Sequence, residues 1–381
     1  MSDVDLKNVV IIGSNSSINV IKNIHSKLPK THRIVLIEAN EYAYFPPLKQ
    51  SDLIQAALRA SVSPSWENQV MTSLENLFSE KSRHVVLNGY RAIQFDETTV
   101  TIDKSSKIGK TIPYDILLLA TGSNYAFPCR PDTQSFTMKD HLKNMQGEIE
   151  NSGKIVIVGG GSLGVEMSGE VRERYKDKEV TLVHSHGDLC GKEVGLHGEV
   201  YSQLTRKGVK VVLNERVDNI GELQFGYGEE RTIRATSGKE FRADFVFNAM
   251  GTKPNVSLVQ DFDTSLISEK GLVKVNDFLQ VDSPKLRNVF AMGDIVNIDE
   301  LKTFVNANRH SSYIAANILS LANGNEASKK YSTGPTIMGV AVGMTGGAIR
   351  LGWFSFGAWA GSFKARSLFT DSFQSSYKQL E

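Results

Sequence analysis

Ile155-Val156-Ile157-Val158-Gly159-Gly160-Gly161-Ser162-Leu163-Gly164 decides the fold. Four β-branched residues in a row read as a strand buried on both faces, and the strand runs into a complete G-x-G-x-x-G where a helical pattern begins, through Gly164 to Tyr175. Gly159 permits the tight turn, Gly161 lets a pyrophosphate approach the backbone, and Gly164 brings helix against strand, while the helix start supplies amides and positive dipole. In this setting a loop that binds nothing is the lesser reading. A second strand, Val180-Thr181-Leu182-Val183, ends at His184 and closes a βαβ unit.

The same unit occurs once more, upstream. Val9-Val10-Ile11-Ile12-Gly13 is followed by helical spacing (Ile18, Ile21, Ile24, Leu28) and by Ile34-Val35-Leu36-Ile37, which ends at Glu38. The strand-end residue lies 25 positions after the first glycine in both units. Each half then closes on an apolar strand and a small-residue turn, Ile116 to Ala120-Thr121-Gly122 in one and Phe245 to Ala249-Met250-Gly251 in the other.

The two loops differ in opposite ways. Gly13-Ser14-Asn15-Ser16-Ser17-Ile18 keeps only the first glycine, so a Cβ at Asn15 crowds the pyrophosphate and Ile18 pushes its helix off the strand. Glu38 nevertheless retains a carboxylate where it can bond a ribose hydroxyl; a solvated strand-end acid is the bland alternative. In the second unit His184-Ser185-His186 stands where an acid would grip the ribose 2′-hydroxyl of NAD, so nothing there repels a 2′-phosphate. A further buried strand, Val289-Phe290-Ala291, runs into Met292-Gly293-Asp294 ahead of a helical pattern from about Phe304 to Leu321. Here a carboxylate can bond a ribityl hydroxyl while the helix start faces pyrophosphate or ring. Alone the signal is weak, because Asp is also a favoured N-cap.

Composition narrows the function. The 381 residues, 40% hydrophobic and 22% charged, suffice for two or three domains, and 43 basic against 42 acidic residues (net +1) leave no basic stripe for nucleic acid. Cys129 and Cys190 stand alone, without a Cys-x-x-Cys, which excludes a dithiol centre and a zinc framework and favours a reducing compartment; no metal site is expected. Met1 to Asp5 leave no room for a signal peptide before the strand at Val9, and Ser2 in place of Gly removes myristoylation. The expected location is the cytoplasm, with peripheral attachment to a membrane as a further option. Pro335 to Phe363 is the one membrane-like stretch, but Arg350 splits it into runs shorter than the ~20 residues a span needs.

With Gly251-Thr252-Lys253-Pro254-Asn255 added, these residues resemble the two-dinucleotide-binding flavoprotein reductases, and within them the apoptosis-inducing-factor-like, ferroptosis-suppressor-like group of FAD-dependent NAD(P)H oxidoreductases. The likeness runs over nearly the whole chain, with specific segments at Leu58 to Val62, Gly159 to Glu166, Val180 to Ser185, Arg206 to Val209, Val289 to Asp294 and Ala365 to Phe369. It implies an α/β fold of two Rossmann-like, glutathione-reductase-like domains: an NAD(P)H domain (124–252) inserted in a discontinuous FAD domain (1–123 and 253–330), with a small C-terminal element (331–381). It further implies hydride transfer from NADH or NADPH to non-covalent FAD and electron transfer to a quinone-like acceptor. The degenerate first loop predicts weaker FAD binding than in relatives with intact glycines.

Residue roles follow from the same resemblance. Glu166 resembles the acid on the nicotinamide side; Lys302, eight positions after Asp294, has the spacing of the lysine beside the flavin ring. His310 matches a histidine of the following helix and is equally readable as core; Trp353 and Phe354 fall where aromatics meet flavin and quinone, although as bare residues such aromatics are more often core than site. The cofactor-binding candidates are Gly13, Asn15, Glu38, Arg91, Ala120, Thr121, Gly122, Gly159, Gly161, Gly164, Glu166, His184, Gly251, Gly293 and Asp294. Pro335 to Phe369 is expected to form an amphipathic interfacial lid, from Trp353, Phe354, Phe356 and Trp359 flanked by Arg350, Lys364 and Arg366; completing the core is the even alternative. Expected partners are a quinone-like acceptor and a membrane or lipid-droplet surface, as monomer or homodimer, without nucleic acid. The competing reading is a degenerate member that binds pyridine nucleotide with little or no flavin, as a nucleotide-responsive binding protein.

Overall fold

The computed structural model describes residues 6–44, 54–129, 134–358 and 370–380. The first βαβ unit consists of β1 (Lys7–Ile12), α1 (Ile18–Ile24) and β2 (His32–Glu38), followed by α2 (Ile54–Val62), β3 (Val85–Asn88) and β4 (Ile116–Leu119). Val9 and Ile11 of β1 face one apolar cluster with Ile21 and Ile24, whereas Val10 and Ile12 face another with Leu87 and Val100. Both faces of the sheet are therefore covered, which is why its strands read as unbroken Val/Ile/Leu runs rather than as alternation.

The chain then crosses by α3 (Ser135–Asn151) into the second unit: β5 (Lys154–Val158), α4 (Ser162–Arg174), β6 (Glu179–Val183), α5 (His197–Arg206), β7 (Val209–Val212), β8 (Gly226–Arg234) and β9 (Glu240–Asn248). This sheet has the order β7-β6-β5-β9-β8, parallel except for β8. The chain returns to the first sheet as β10 (Val289–Ala291), giving the order β10-β4-β1-β2-β3, all parallel, and continues into α6 (Phe304–Ala322).

Register brings the chemistry to one edge of each sheet. Ile12 pairs with Ile37 and Leu119, and Leu119 with Ala291, so Gly13, Glu38, Ala120 and Met292-Gly293 leave the first sheet together. Val158 pairs with Val183 and Asn248, so Gly159, His184 and Ala249 leave the second together. Ligands of open parallel sheets bind at this carboxyl edge, where strand order reverses.

The C-terminal segment divides in two. Strands β11 (Ile337–Ala341), β12 (Gly347–Leu351) and β13 (Phe354–Phe356) form an antiparallel sheet on α4 and α5. Met338, Val340, Val342 and Ala348 are buried in the core of the second unit. At Gly169 a Cβ would stand 2.5 Å from the Gly343 nitrogen, so this contact needs a residue without a side chain. This half packs into the core of the second unit, as the alternative reading has it. The β12–β13 turn is different: Trp353 is 89% and Phe354 70% exposed. Trp359, Lys364, Arg366 and the Ala365 to Phe369 segment lie outside the described residues. The chain ends with α7 (Thr370–Ser376), which packs back on the first unit near Gln69. Among the described residues no helix is long and apolar enough to cross a membrane.

Candidate functional site: two dinucleotide edges

The second loop has the geometry its glycines predict. Gly159 has φ +115°, and a Cβ there would meet the Ala249 carbonyl at 2.6 Å; at Gly164 it would meet the Gly159 carbonyl at 1.8 Å. At Gly161 a Cβ would meet nothing within 4 Å, so the space a phosphate needs is open. α4 starts at Ser162, three residues after Gly159.

His184 is placed otherwise than expected. Its Nδ1 accepts from the Gly160 amide at 3.0 Å, which puts the proton on Nε2, where the ring donates to the Asp188 carbonyl at 3.2 Å. Burial holds its pKa below the usual range. His184 is thus a neutral brace for the glycine loop and has no nitrogen left for a 2′-phosphate. His186, exposed with its ring 5.4 Å away, is the imidazole that remains.

In the first loop Gly13 is indispensable, because a Cβ there would stand 2.4 Å from the Ala120 carbonyl. The substitutions show in the helix: with Ile18 buried at the third glycine position, regular α1 begins five residues after Gly13 instead of three. Glu38 is buried and occupied at both oxygens, Oε2 accepting from the Ser14 amide at 2.8 Å and Oε1 from the Asn40 amide at 3.1 Å. Ser14 is 1% exposed, and its Oγ makes no hydrogen bond among the described residues. An orphaned buried hydroxyl beside a carboxylate at a dinucleotide edge fits a bound nucleotide.

Opposite this loop, Thr121 and Asn255 are stitched together: Thr121 Oγ1 donates to the Asn255 carbonyl at 2.7 Å and Asn255 Nδ2 to the Thr121 carbonyl at 2.9 Å. Gly122 and Gly251, both at positive φ, turn the chain at the two crossings between units. Asp294 is buried and accepts from the Tyr125 hydroxyl at 3.2 Å. Its setting differs from the sequence expectation. Gly293–Ile295 is an isolated 3-10 turn, and the long helix begins only at Phe304, capped by Thr303 Oγ1 accepting from the Asn306 amide. Any dipole at Asp294 comes from that short turn and not from α6.

Lys302 is largely buried, its Nζ donating to the Val296 and Ile298 carbonyls at 2.7 and 2.9 Å. Burial lowers its pKa, against the pull of Glu300 and Asp294. His310 accepts from the Gly293 amide at Nδ1 (3.1 Å) and donates from Nε2 to Glu300 Oε1 (2.7 Å), while the Tyr331 hydroxyl donates to Glu300 Oε2 (2.7 Å). Burial raises the Glu300 carboxyl, but the bonds from His310 and Tyr331 outweigh it and hold the group below the usual range. His310 is therefore a core histidine that fixes the Gly293-Asp294 turn. Glu300, Tyr331 and Tyr125 were not visible in the sequence. Ten positions between Glu300 and His310 match no motif; only a buried acid beside an apolar helix pattern could have drawn the eye.

Other candidates sit apart. Glu166 is fully buried in α4 and accepts from the Ala341 amide of β11 at 3.2 Å, so the C-terminal sheet is joined to the helix that opens the second loop. Arg91 is exposed, its backbone paired with Asp103. Cys129 and Cys190 are both buried and in no disulfide, with burial pushing the Cys129 thiol well up. Among the described residues no cluster of His, Cys, Asp and Glu could hold a metal.

Two mainly parallel sheets, one with a glycine-rich nucleotide edge and one whose edge bears Glu38 and Gly293-Asp294, are the architecture of a two-dinucleotide flavoprotein oxidoreductase. Residues 7–311 match the family described as pyridine nucleotide-disulphide oxidoreductase, and the chain belongs to it: a FAD-dependent enzyme that takes NADH or NADPH. The chain is 33% identical over 307 residues to ferroptosis suppressor protein 1 of Mus musculus, covering 79% of this chain and 80% of that protein. It is 26% identical over 403 residues to apoptosis-inducing factor homolog A of Dictyostelium discoideum, covering 100% and 94%. In fold it is similar to a water-forming NADH oxidase from Lactobacillus brevis bound to NADH, with TM-score 0.68 and 18% identity over 91% of this chain and 75% of that one.

Proposed function

We propose that the enzyme delivers its electrons to a quinone-like small molecule, with NAD(P)H held at Gly159 to Gly164 and FAD at Glu38, Ser14 and Asp294. The observation that carries this reading is the state of the two cysteines: both are buried singles, so the chain has no disulfide to relay electrons onward. When bound, the flavin supplies the hydride-accepting and electron-donating chemistry. The protein's residues position it. Glu38 orders the first loop through the Ser14 amide, His310 locks the Gly293-Asp294 turn, and Lys302 keeps a partly desolvated cation beside Asp294. That cation favours negative charge developing on a ring next to it. The exposed Trp353-Phe354 turn supports peripheral contact with a lipid surface, from which an apolar acceptor would come.

The test is the visible spectrum of the purified protein together with NADH-dependent reduction of a short-chain quinone. Flavin bands and quinone turnover are expected. A yellow protein that spares quinone would remove the acceptor assignment. A colourless protein that still binds NADH would leave the nucleotide-responsive binding reading in its place.

A further inference from the structure

The first loop lost the glycine at position 15, where the pyrophosphate of a dinucleotide comes closest to the backbone. We propose that Asn15, held by Tyr377 of the C-terminal tail, takes over that position as a phosphate donor. The assignment rests on the flavin reading above.

The tail reaches the loop by a specific path. Gln374 Nε2 donates to the Gln69 carbonyl at 3.4 Å and the Leu380 amide to the Leu77 carbonyl at 2.8 Å, which clamps Tyr377 between them. The phenol is 5% exposed and packs in the core of the first unit with α1. Its hydroxyl lies 3.4 Å from the Ser14 carbonyl and 3.3 Å from Asn15 Oδ1, a shared donation to two acceptors of the loop.

What Tyr377 bonds decides between plug and prop. An anion site works through donors, and a plug would consume them. The Tyr377 hydroxyl engages the Ser14 carbonyl and Asn15 Oδ1, both acceptors. With Oδ1 tied to the phenol, the free end of the Asn15 amide is Nδ2, a donor of two hydrogens. An asparagine that would obstruct a glycine-type loop becomes useful once its orientation is fixed. Tyr377 is then a positioning residue and Asn15 the contact.

The full-length protein, stripped of nucleotide, is titrated with FAD by calorimetry, with NADH affinity at the second loop as a check on folding. Asn15→Ala and Tyr377→Phe are each expected to weaken FAD about tenfold, and the double variant no further than either single one, because one residue acts through the other. Asn15→Gly restores the glycine, so FAD binding is expected to return and Tyr377→Phe to have no effect in that background. Unchanged FAD affinity in Asn15→Ala, or losses that add in the double variant, overturns the proposal. Tighter binding in Tyr377→Phe overturns it in favour of a plug. If Tyr377→Phe also loses NADH, its damage is structural and Asn15→Ala, at a part-exposed position, decides. Failure of the unmodified protein to take up FAD refutes the flavin reading itself, and this assignment with it.

Discussion

Arg59 grips Glu170 with two parallel bonds, Nε to Oε2 at 3.0 Å and Nη2 to Oε1 at 2.8 Å, both side chains all but inaccessible to water. The pair joins α2 of the first unit to α4, the helix behind the second loop. The Trp66 ring lies 4.8 Å from the guanidinium on its other side. Breaking a buried pair strands one desolvated charge, so Arg59→Ala is expected to lower unfolding free energy by about 3–5 kcal/mol. Replacing both partners by Met removes the two charges together and should cost less than the single change. Denaturant titration of the single and double variants measures it; equal losses in both would show that packing rather than charge holds the helices.

Stability is expected to fall as the medium is acidified below neutrality, through His84. Its Nδ1 accepts from the Ile34 amide at 2.9 Å and its Nε2 meets the His25 carbonyl at 3.1 Å, and burial lowers its pKa to about 4. The folded-state value lies below the unfolded one, so between about 6.5 and 4 the unfolded chain binds a proton that the folded chain refuses. The contribution is present above that window and is lost as pH falls through it, to the extent of roughly 2–3 kcal/mol with allowance for partial solvent access. His84→Gln should show a flatter profile between pH 7 and about 4.5 than the parent; parallel profiles would assign the acid sensitivity elsewhere.

NADPH is expected to serve within ~100-fold of NADH in kcat/KM, about 2.7 kcal/mol, because no acid stands at the end of β6. With His184 committed to the Gly160 amide, the residue that meets a 2′-phosphate is His186. His186→Ala should therefore reduce kcat/KM for NADPH several-fold and leave NADH alone, whereas His184→Ala, which unbraces the loop, should impair both. Steady-state kinetics with the two donors decides; a larger preference for NADH in the parent would end the argument.

Trp353→Ala/Phe354→Ala is expected to keep turnover with a water-soluble quinone and to lose binding to vesicles and turnover of a long-chain quinone. Both side chains stand out from the β12–β13 turn, so their removal leaves the core untouched. Cutting the chain after Tyr331 would be a poorer test, since it strips Met338, Val340 and Val342 from the second core. Vesicle co-sedimentation of the double variant is the measurement, and retention equal to the parent would rule the turn out as an anchor.

Much of this was legible because the second unit obeys local rules. A β-branched run, three glycines and a helical period lie within twenty residues, each signal reinforcing the next. The repeat at Gly13 could be found for the same reason, although its helix starts only at Ile18. What escaped was set by distance. Nothing near His310 announces that Glu300 and Tyr331 share its proton network, and the sequence near Asn15 is silent about a phenol 362 positions later. His184 was misplaced because an imidazole offers two nitrogens, and only coordinates show that both are taken. The aromatic run after Pro335 drew attention from the plainer signal ahead of it: Ile337 to Ala341 is simply a buried strand.

The contact between Tyr377 and the Ser14-Asn15 loop also bears on how the protein is made. The residue that bonds the loop is synthesised 363 positions after Ser14. At 5–20 residues per second, roughly 20 to 70 seconds separate the synthesis of Ser14 from that of Tyr377. The environment of the nucleotide loop thus depends on a segment made long after the loop itself.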